Sequence, residues 1–320
     1  MGKYIIQRLV LGIPTLLGLT LLIFFTFRVI VPVDVIDVAV FDTEVVDEER
    51  DQRLREEFGL TGPLPVQYVR WLGNTLTGDS GTSFFTGRSV TEEMVNRIPT
   101  SIQMGGGALI ISIVFAVPFG LLSAAKQDSW LDYITRGGSI MFYALPGFWI
   151  GTLVLVFGGK WFNWAPPIAY VTPWEDPWGN FKHVITPMLI LGLSPIGIQT
   201  RLVRTQVLEV MRQDYVRTAR AKGLRSSTVY WKHILKNALL PVVTVVGLSV
   251  PSVVGGTVIF ETVFLVPGVG RYLLESLTRL DLYVIMATNL FFGALLVFMN
   301  IVVDVSYGLI DPRVRIASGD

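Results

Sequence analysis

The densest chemistry in the sequence is cationic. Nine Lys and Arg residues lie between Arg201 and Lys236, against only Glu209 and Asp214. Such groups form charge-assisted hydrogen bonds with carboxylates and phosphates. Within this stretch Tyr215, Val216, Arg217, Thr218, Ala219, Arg220, Ala221, Lys222, Gly223 and Leu224 read as a short helix. Ala219, Ala221 and Gly223 are small enough to let a partner backbone come close, Arg217, Arg220 and Lys222 supply donors, and Gly223 suits a helix C-cap. The run from Val229 to Pro241 then leads into apolar sequence, with Tyr230 and Trp231 as interfacial anchors. The same charges also have a plainer reading, as a topology signal and a contact for anionic lipid headgroups.

Other chemistry is poorly served. There is no cysteine, and His183 and His233 are the only histidines, which removes disulfides and thiolate sites and argues against a histidine-based metal centre. No Gly-x-x-x-x-Gly-Lys-Ser/Thr loop is present. Gly105-Gly-Gly107 lacks the lysine and falls in an apolar run, where glycines serve close helix packing. The chain is therefore expected not to be an enzyme, to bind no cofactor itself and to hold no metal.

The elements that must position the basic run are membrane helices. Of 320 residues 51% are apolar and 16% charged, against about 25% charged in soluble domains. Mean hydropathy is +0.56. The net charge of +1 offers no global field for nucleic acid. About 20 apolar residues cross a hydrocarbon core roughly 30 Å thick. Six segments approach that length: 9–31, 100–124, 134–157, 184–200, 239–263 and 284–303. The fourth is the weakest, because Pro187 and Pro195 interrupt a short stretch. The first exceeds a signal-peptide core and reads as a retained span. Barrel-type alternation is absent, so the spans are helices.

Lys and Arg near the span ends set the orientation. With the amino terminus in the cytoplasm, fifteen basic residues lie inside and ten outside, six of the ten in the long segment 32–99. Both termini are then cytoplasmic. Segment 32–99 is an extracytoplasmic insertion with a helix-compatible stretch at 47–58 and turns at Thr61-Gly-Pro63 and Gly78-Asp-Ser-Gly81.

At the residues of the basic run the chain resembles the membrane subunits of ATP-binding-cassette importers, in the dipeptide/oligopeptide permease branch. The run Tyr215 to Leu224 followed by Asn237-Ala-Leu-Leu-Pro241 is similar to the branch's EAA-type loop, with Arg217 and Thr218 standing where the general consensus has an acid and the first Ala. Gly78-Asp-Ser-Gly-Thr-Ser83, Ser89-Val90, Arg97-Ile-Pro-Thr100, Glu261-Thr-Val-Phe-Leu-Val-Pro-Gly-Val-Gly-Arg271, Asn300, Asp304, Tyr307 and Asp311-Pro-Arg313 extend the likeness. The resemblance implies an all-α, six-span permease of the type I importer fold. Its coupling helix, Tyr215 to Leu224, would sit in a groove of an ATPase. The implied partners are a second homologous permease subunit, two ATPase subunits holding ATP and Mg, and an extracytoplasmic solute-binding protein. The substrate would be a peptide or similar small solute; the family also handles nickel chelates.

The organisation expected is a first span at 1–31, the insertion 32–99, a permease core 100–311 with its coupling loop at 201–238, and a cytoplasmic tail 312–320. Polar residues inside spans are costly and so mark a pathway or bonds between helices. Gln103, Asn289 and Asn300 carry both readings, Arg28 those of pathway and snorkelling, and Asp304 that of a helix anchor. Glu261, Pro267, Gly268, Gly270 and Arg271 read as an external gate or as a turn anchored by Phe260 and Phe264. An ion-coupled secondary transporter would need buried acidic pairs and inverted repeats, and a membrane enzyme clustered His, Asp or Glu at membrane depth. Glu261 and Asp304, each at the end of a span, are the acids nearest those segments, and no acidic pair falls inside one.

Overall fold

The computed structural model describes residues 2–30, 56, 61–167 and 169–310. The stretch 47–58, apart from Glu56, and the tail 312–320 lie outside the described residues. The structure is helical. Its elements are α1 (Gly2–Phe25), continued by a π-helical turn (Thr26–Ile30), α2 (Leu64–Leu76), α3 (Val90–Ala125), α4 (Trp130–Ala144), α5 (Gly147–Phe162), α6 (Pro177–Met211), α7 (Asp214–Ala221), α8 (Leu240–Val263), α9 (Val269–Arg279) and α10 (Leu282–Ile310). After α7 the chain breaks over 222–225 and is helical again from Ser226 to Ala238, with a π-helix at Val229–Leu235. Among the described residues α1, α3, α6, α8 and α10 are each long and apolar enough to span a membrane, and α4 with α5 makes a sixth if the bent pair is one span.

Two expectations change here. The third span, read as one helix over 134–157, is two helices meeting at 96°. Pro146 has no N–H to continue α4, and it caps the start of α5 with extended backbone. The fourth span, read as short, is the 35-residue α6 with Pro187 and Pro195 inside it. Both prolines are buried, and packing against neighbouring helices compensates for the lost backbone bonds. Asp176 caps its start, accepting from the N–H groups of Trp178 and Gly179. Of the three consecutive glycines, Gly105 and Gly107 pack closely, against Thr257 and Met188, whereas Gly106 faces open space.

The chain falls into two compact units. One comprises Met1–Arg8, Ile102–Val266 and Met299–Asp320; the other comprises Leu9–Ser101 and Pro267–Phe298. In the first, α6 packs on α4 and α8. An apolar cluster there joins Val203 and Val207 of α6 to Val216 and Ala219 of α7 and to Val229, Ile234, Ala238 and Val242. A second joins Met104 and Ala108 to Ile190, Leu191, Val253, Phe260 and Phe264. In the other unit, Val90 and Met94 pack with Val269, Tyr272 and Val284. Ile23 and Phe24 of α1 pack there with Met286 and with Tyr68 and Trp71 of α2.

Candidate functional site

Helix α7 carries the basic residues singled out in the sequence, and its two faces differ. Val216 and Ala219, three apart, are buried in the apolar cluster with α6, while Tyr215, Arg217, Thr218, Arg220 and Ala221 are exposed. Ala219 thus uses its small size for packing within its own chain, not for approach to a partner, which corrects that expectation. Its side chain fills a site where a longer one would strain the cluster. Ala221 keeps the outward position. Lys222, Gly223 and Leu224, just past the helix, are exposed too.

The C-terminus of α7 closes as a Schellman motif. The Gly223 N–H bonds the Arg220 carbonyl at 2.9 Å and the Leu224 N–H bonds the Ala219 carbonyl at 3.4 Å, with Gly223 at φ +77°. A Cβ at Gly223 would meet open space, so the constraint is the left-handed backbone alone. Asn237 donates from Nδ2 to the Tyr215 hydroxyl at 3.1 Å and to the His233 carbonyl at 2.9 Å. This bond ties α7 to the Asn237-Ala-Leu-Leu-Pro241 string that the sequence had linked with it only by order.

Two of the nine cations, Arg201 and Arg204, lie inside α6 and not in the loop. Arg204 lies inside α6 and donates from Nε and Nη2 to the two carboxylate oxygens of Asp132 on α4, each at 2.7 Å. Asp132 is fully buried and also accepts from the Ser123 hydroxyl and the Asp128 N–H. Sequence reasoning missed this pair. Asp132 preceded the apolar run assigned to span three, and its partner stood 72 residues away. The resulting fork fixes α4 to α6, and α6 leads through Arg212 and Gln213 directly into α7.

The sequence-predicted pathway residues are not gathered together. Gln103 donates to Asn180 Oδ1 at 2.6 Å. Asn180 in turn donates to the Tyr170 hydroxyl and the Val171 carbonyl. Asn289 instead bonds the Ile285 carbonyl of its own helix at 2.8 Å, and Asn300 is exposed. Beside Asn180, the buried His183 bonds the Phe264 carbonyl through Nε2 at 3.2 Å, with the Tyr170 ring edge-on to it. Among the described residues His183 Nδ1 and Gln103 Oε1 are buried with no hydrogen-bond partner. Neither Asn180 nor His183 carried a sequence motif that could have singled it out. Asp304 pairs with Arg8 at 3.0 Å, as a bond anchoring helix ends.

The residues proposed as a gate split into a helix end and a new helix. Glu261 is buried, and its carbonyl accepts from Val266 N–H. After α8, Leu265 takes φ +56°, Pro267 follows, and Gly268 caps α9, in which Gly270 is buried and Arg271 pairs with Glu275. The Ser101 hydroxyl accepts from the Val269 N–H at 2.8 Å, fixing the start of α9. The segment is thus a helix–break–helix, neither a simple turn nor a loop. Among the described residues no three His, Cys, Asp or Glu side chains group as a metal site.

Comparison with known proteins places this geometry. Over 318 residues the chain is 36% identical to the oligopeptide transport system permease protein AppB of Bacillus subtilis (strain 168), covering 98% of this chain and 100% of that one. It is 34% identical over 339 residues to the dipeptide transport system permease protein DppB of Escherichia coli (strain K12), covering 98% and 99%. Among solved structures it is similar to the MetNI methionine ABC transporter in its inward-facing form, with TM-score 0.54 and 13% identity over 68% of this chain and 96% of that chain. That likeness shows a shared fold. Residues 1–105 match the family described as the N-terminal part of the binding-protein-dependent transport system membrane component. With residues 116–316 matching "Binding-protein-dependent transport system inner membrane component", the chain belongs to that family of membrane-embedded transport permeases.

Proposed function

We propose that this chain is the permease subunit of an ATP-driven importer that takes up di- or oligopeptides handed over by an extracytoplasmic binding protein. The observation that carries the coupling part of this reading is α7. It is a capped helix, seated on its own chain through Val216 and Ala219, which leaves Tyr215, Arg217, Thr218, Arg220 and Ala221 free for a partner. In this reading ATP and Mg are held and hydrolysed in two ATPase subunits, and a second homologous permease completes the pathway. Tyr215 to Leu224 engage an ATPase in the cytoplasm, where both termini also lie. Segment 32–99 faces outward.

A conformational equilibrium shifts only by the difference in contact between its two states. Movement of α7 with a closing ATPase dimer reaches α6 through Arg212 and Gln213, and α4 through the Arg204–Asp132 fork. The three helices therefore shift as one body. At the other end of α6, Asn180 and His183 stand beside Gln103 and Phe264. Glu261, Pro267, Gly268, Gly270 and Arg271 act as the external gate, and Gln103 lines the route.

The test is reconstitution in proteoliposomes with and without the ATPase subunits, following entry of a labelled dipeptide with and without ATP. Uptake is expected only with both. Uptake that persists with no ATPase present would sink the importer reading. Replacing Arg217 and Arg220 together by Glu is expected to abolish co-purification of the ATPases while leaving membrane insertion intact.

A further inference from the structure

The Gly78-Asp-Ser-Gly-Thr-Ser83 string has no part in the coupling machinery. It forms one wall of a cavity of about 250 Å3. The opposite wall is a single face of α2, on which Gln67, Arg70, Trp71 and Asn74 recur at helical spacing. Arg28, Glu56 and Tyr283 also line it. From this arrangement, and resting on the peptide uptake proposed above, we infer that the cavity is a binding site for a short zwitterionic peptide, its carboxylate taken by Arg70, its ammonium by Asp79 and its backbone amide by Asn74.

The walls are held in place. Asp79 Oδ1 accepts from the Gly81 N–H at 2.9 Å, leaving its second oxygen for a ligand. The Ser80 N–H donates to Thr91 Oγ1 at 2.9 Å. Gly81 has φ +90°, and a Cβ there would stand 2.8 Å from the Tyr283 ring, so only glycine lets the loop lie on that ring. Ser83, next along, donates to buried Asp281 at 2.6 Å. On the other side Tyr68 and Trp71 of α2 pack against Phe24, and the Tyr68 hydroxyl bonds Thr20 at 2.9 Å.

The lining chemistry selects the ligand. Two cations, two carboxylates (Glu56 and Asp79), two primary amides and an indole face one space, which suits a molecule carrying both charges and a peptide bond between them. Among the described residues the Arg70 guanidinium makes no ion pair and the Asn74 side chain no hydrogen bond, so both are available. Small-molecule pockets begin at roughly 300 Å3. A cavity just under that size takes one or two amino-acid residues rather than a folded partner's surface.

The experiment is equilibrium binding by titration calorimetry. It uses the full chain, co-assembled with its transport partners, in nanodiscs free of any extracytoplasmic binding protein. The probes are alanyl-alanine, free alanine, and N-acetyl-alanyl-alanine amide, which lacks both charges. Alanyl-alanine is expected to bind at least tenfold more tightly than the capped peptide, and Arg70→Ala and Asn74→Ala are each expected to weaken it at least tenfold. Both positions are exposed, so the variants should fold; unchanged thermal unfolding checks this, and Arg70→Lys should restore part of the binding. Absence of alanyl-alanine binding at millimolar concentration, equal binding of the capped peptide, or affinity indifferent to both substitutions overturns the proposal. So does a result in which the variants lose only capture of a purified binding protein, since the surface would then be a protein dock. The readout needs neither ATP nor turnover, and a chain that fails the uptake assay can still pass it.

Discussion

Asp132, on α4, and Asp281, just ahead of α10, are both carboxylates withdrawn from solvent, yet only the first faces a cation. Asp132 is gripped through both oxygens by Arg204. Asp281 is held by the Ser83 hydroxyl and by the backbone N–H groups of Phe84, Phe85 and Val284. Its burial pushes its pKa up, and these donors only partly offset that. A buried carboxylate with a bidentate counter-charge makes a stiff joint that is costly to break on one side. One held by neutral donors remains sensitive to protonation. The first arrangement joins α4 to α6, the helix that leads into α7. The second anchors a loop that borders the cavity beside α2.

The largest test of this contrast is removal of one partner of the stiff joint. Asp132→Ala leaves a half-buried Arg204 unpaired, with an expected loss of about 3 kcal/mol in detergent-solubilised unfolding. The double replacement Asp132→Leu with Arg204→Met should recover most of that loss. Recovery is expected because two apolar side chains need no counter-charge; if the double variant is as unstable as the single one, the fork is not what joins α4 to α6.

On the other side of the contrast the expected signature is pH dependence. Burial, reinforced by nearby Asp281 and Glu93, pushes the Tyr272 phenol up to about 12. The unfolded phenol titrates near 10. The folded state thus keeps the proton longer, and this contribution is fully present below about pH 10 and is lost as pH climbs toward 12. The loss amounts to up to about 3 kcal/mol at 1.36 kcal/mol per unit. Tyr272→Phe should flatten the alkaline decline in that window, and an unchanged slope would dissociate the hydroxyl from it. Asp281 follows the same sign at acid pH: its contribution is greatest below the ordinary carboxylate range and falls as pH rises through its raised value. Asp281→Asn should remove that acid-range slope.

Smaller effects sharpen the two faces of α7. Ala219→Leu overfills the apolar cluster and should cost about 2 kcal/mol of stability, as well as weakening ATPase association by displacing the helix. Ala221→Leu, on the exposed face, should change stability by less than about 0.5 kcal/mol while still reducing co-purification of the ATPases. Equal stability losses at the two positions would contradict the assignment of faces. Gly223→Ala should cost about 1 to 2 kcal/mol through the left-handed backbone alone, since no neighbour crowds its Cβ.

The membrane class, the helical spans and the capped helix at Tyr215 to Leu224 were legible because each follows from local rules. Apolar length sets a span, and a glycine after small and basic residues ends a helix. The inward role of Ala219 was not legible. A small residue suits either face of a helix, and its partners Val203, Val229 and Ile234 come from other segments. The break at Pro146 could be read from the residue type, but its 96° angle could not. The missed network of Asn180, Tyr170 and His183 involves ordinary polar residues made important only by burial beside Gln103 and Phe264.

The sequence by itself determined that this chain lives in a membrane, which stretches are apolar enough to span it and where a short basic helix ends at Gly223, because hydropathy, charge and capping act within a few residues. Only the tertiary structure decided which acid faces which base, which side of α7 is free, and that Gly78 to Ser83 meets a face of α2. Those outcomes depend on contacts between residues far apart in the chain, such as Asp132 and Arg204 or Ser83 and Asp281, and no local preference encodes them.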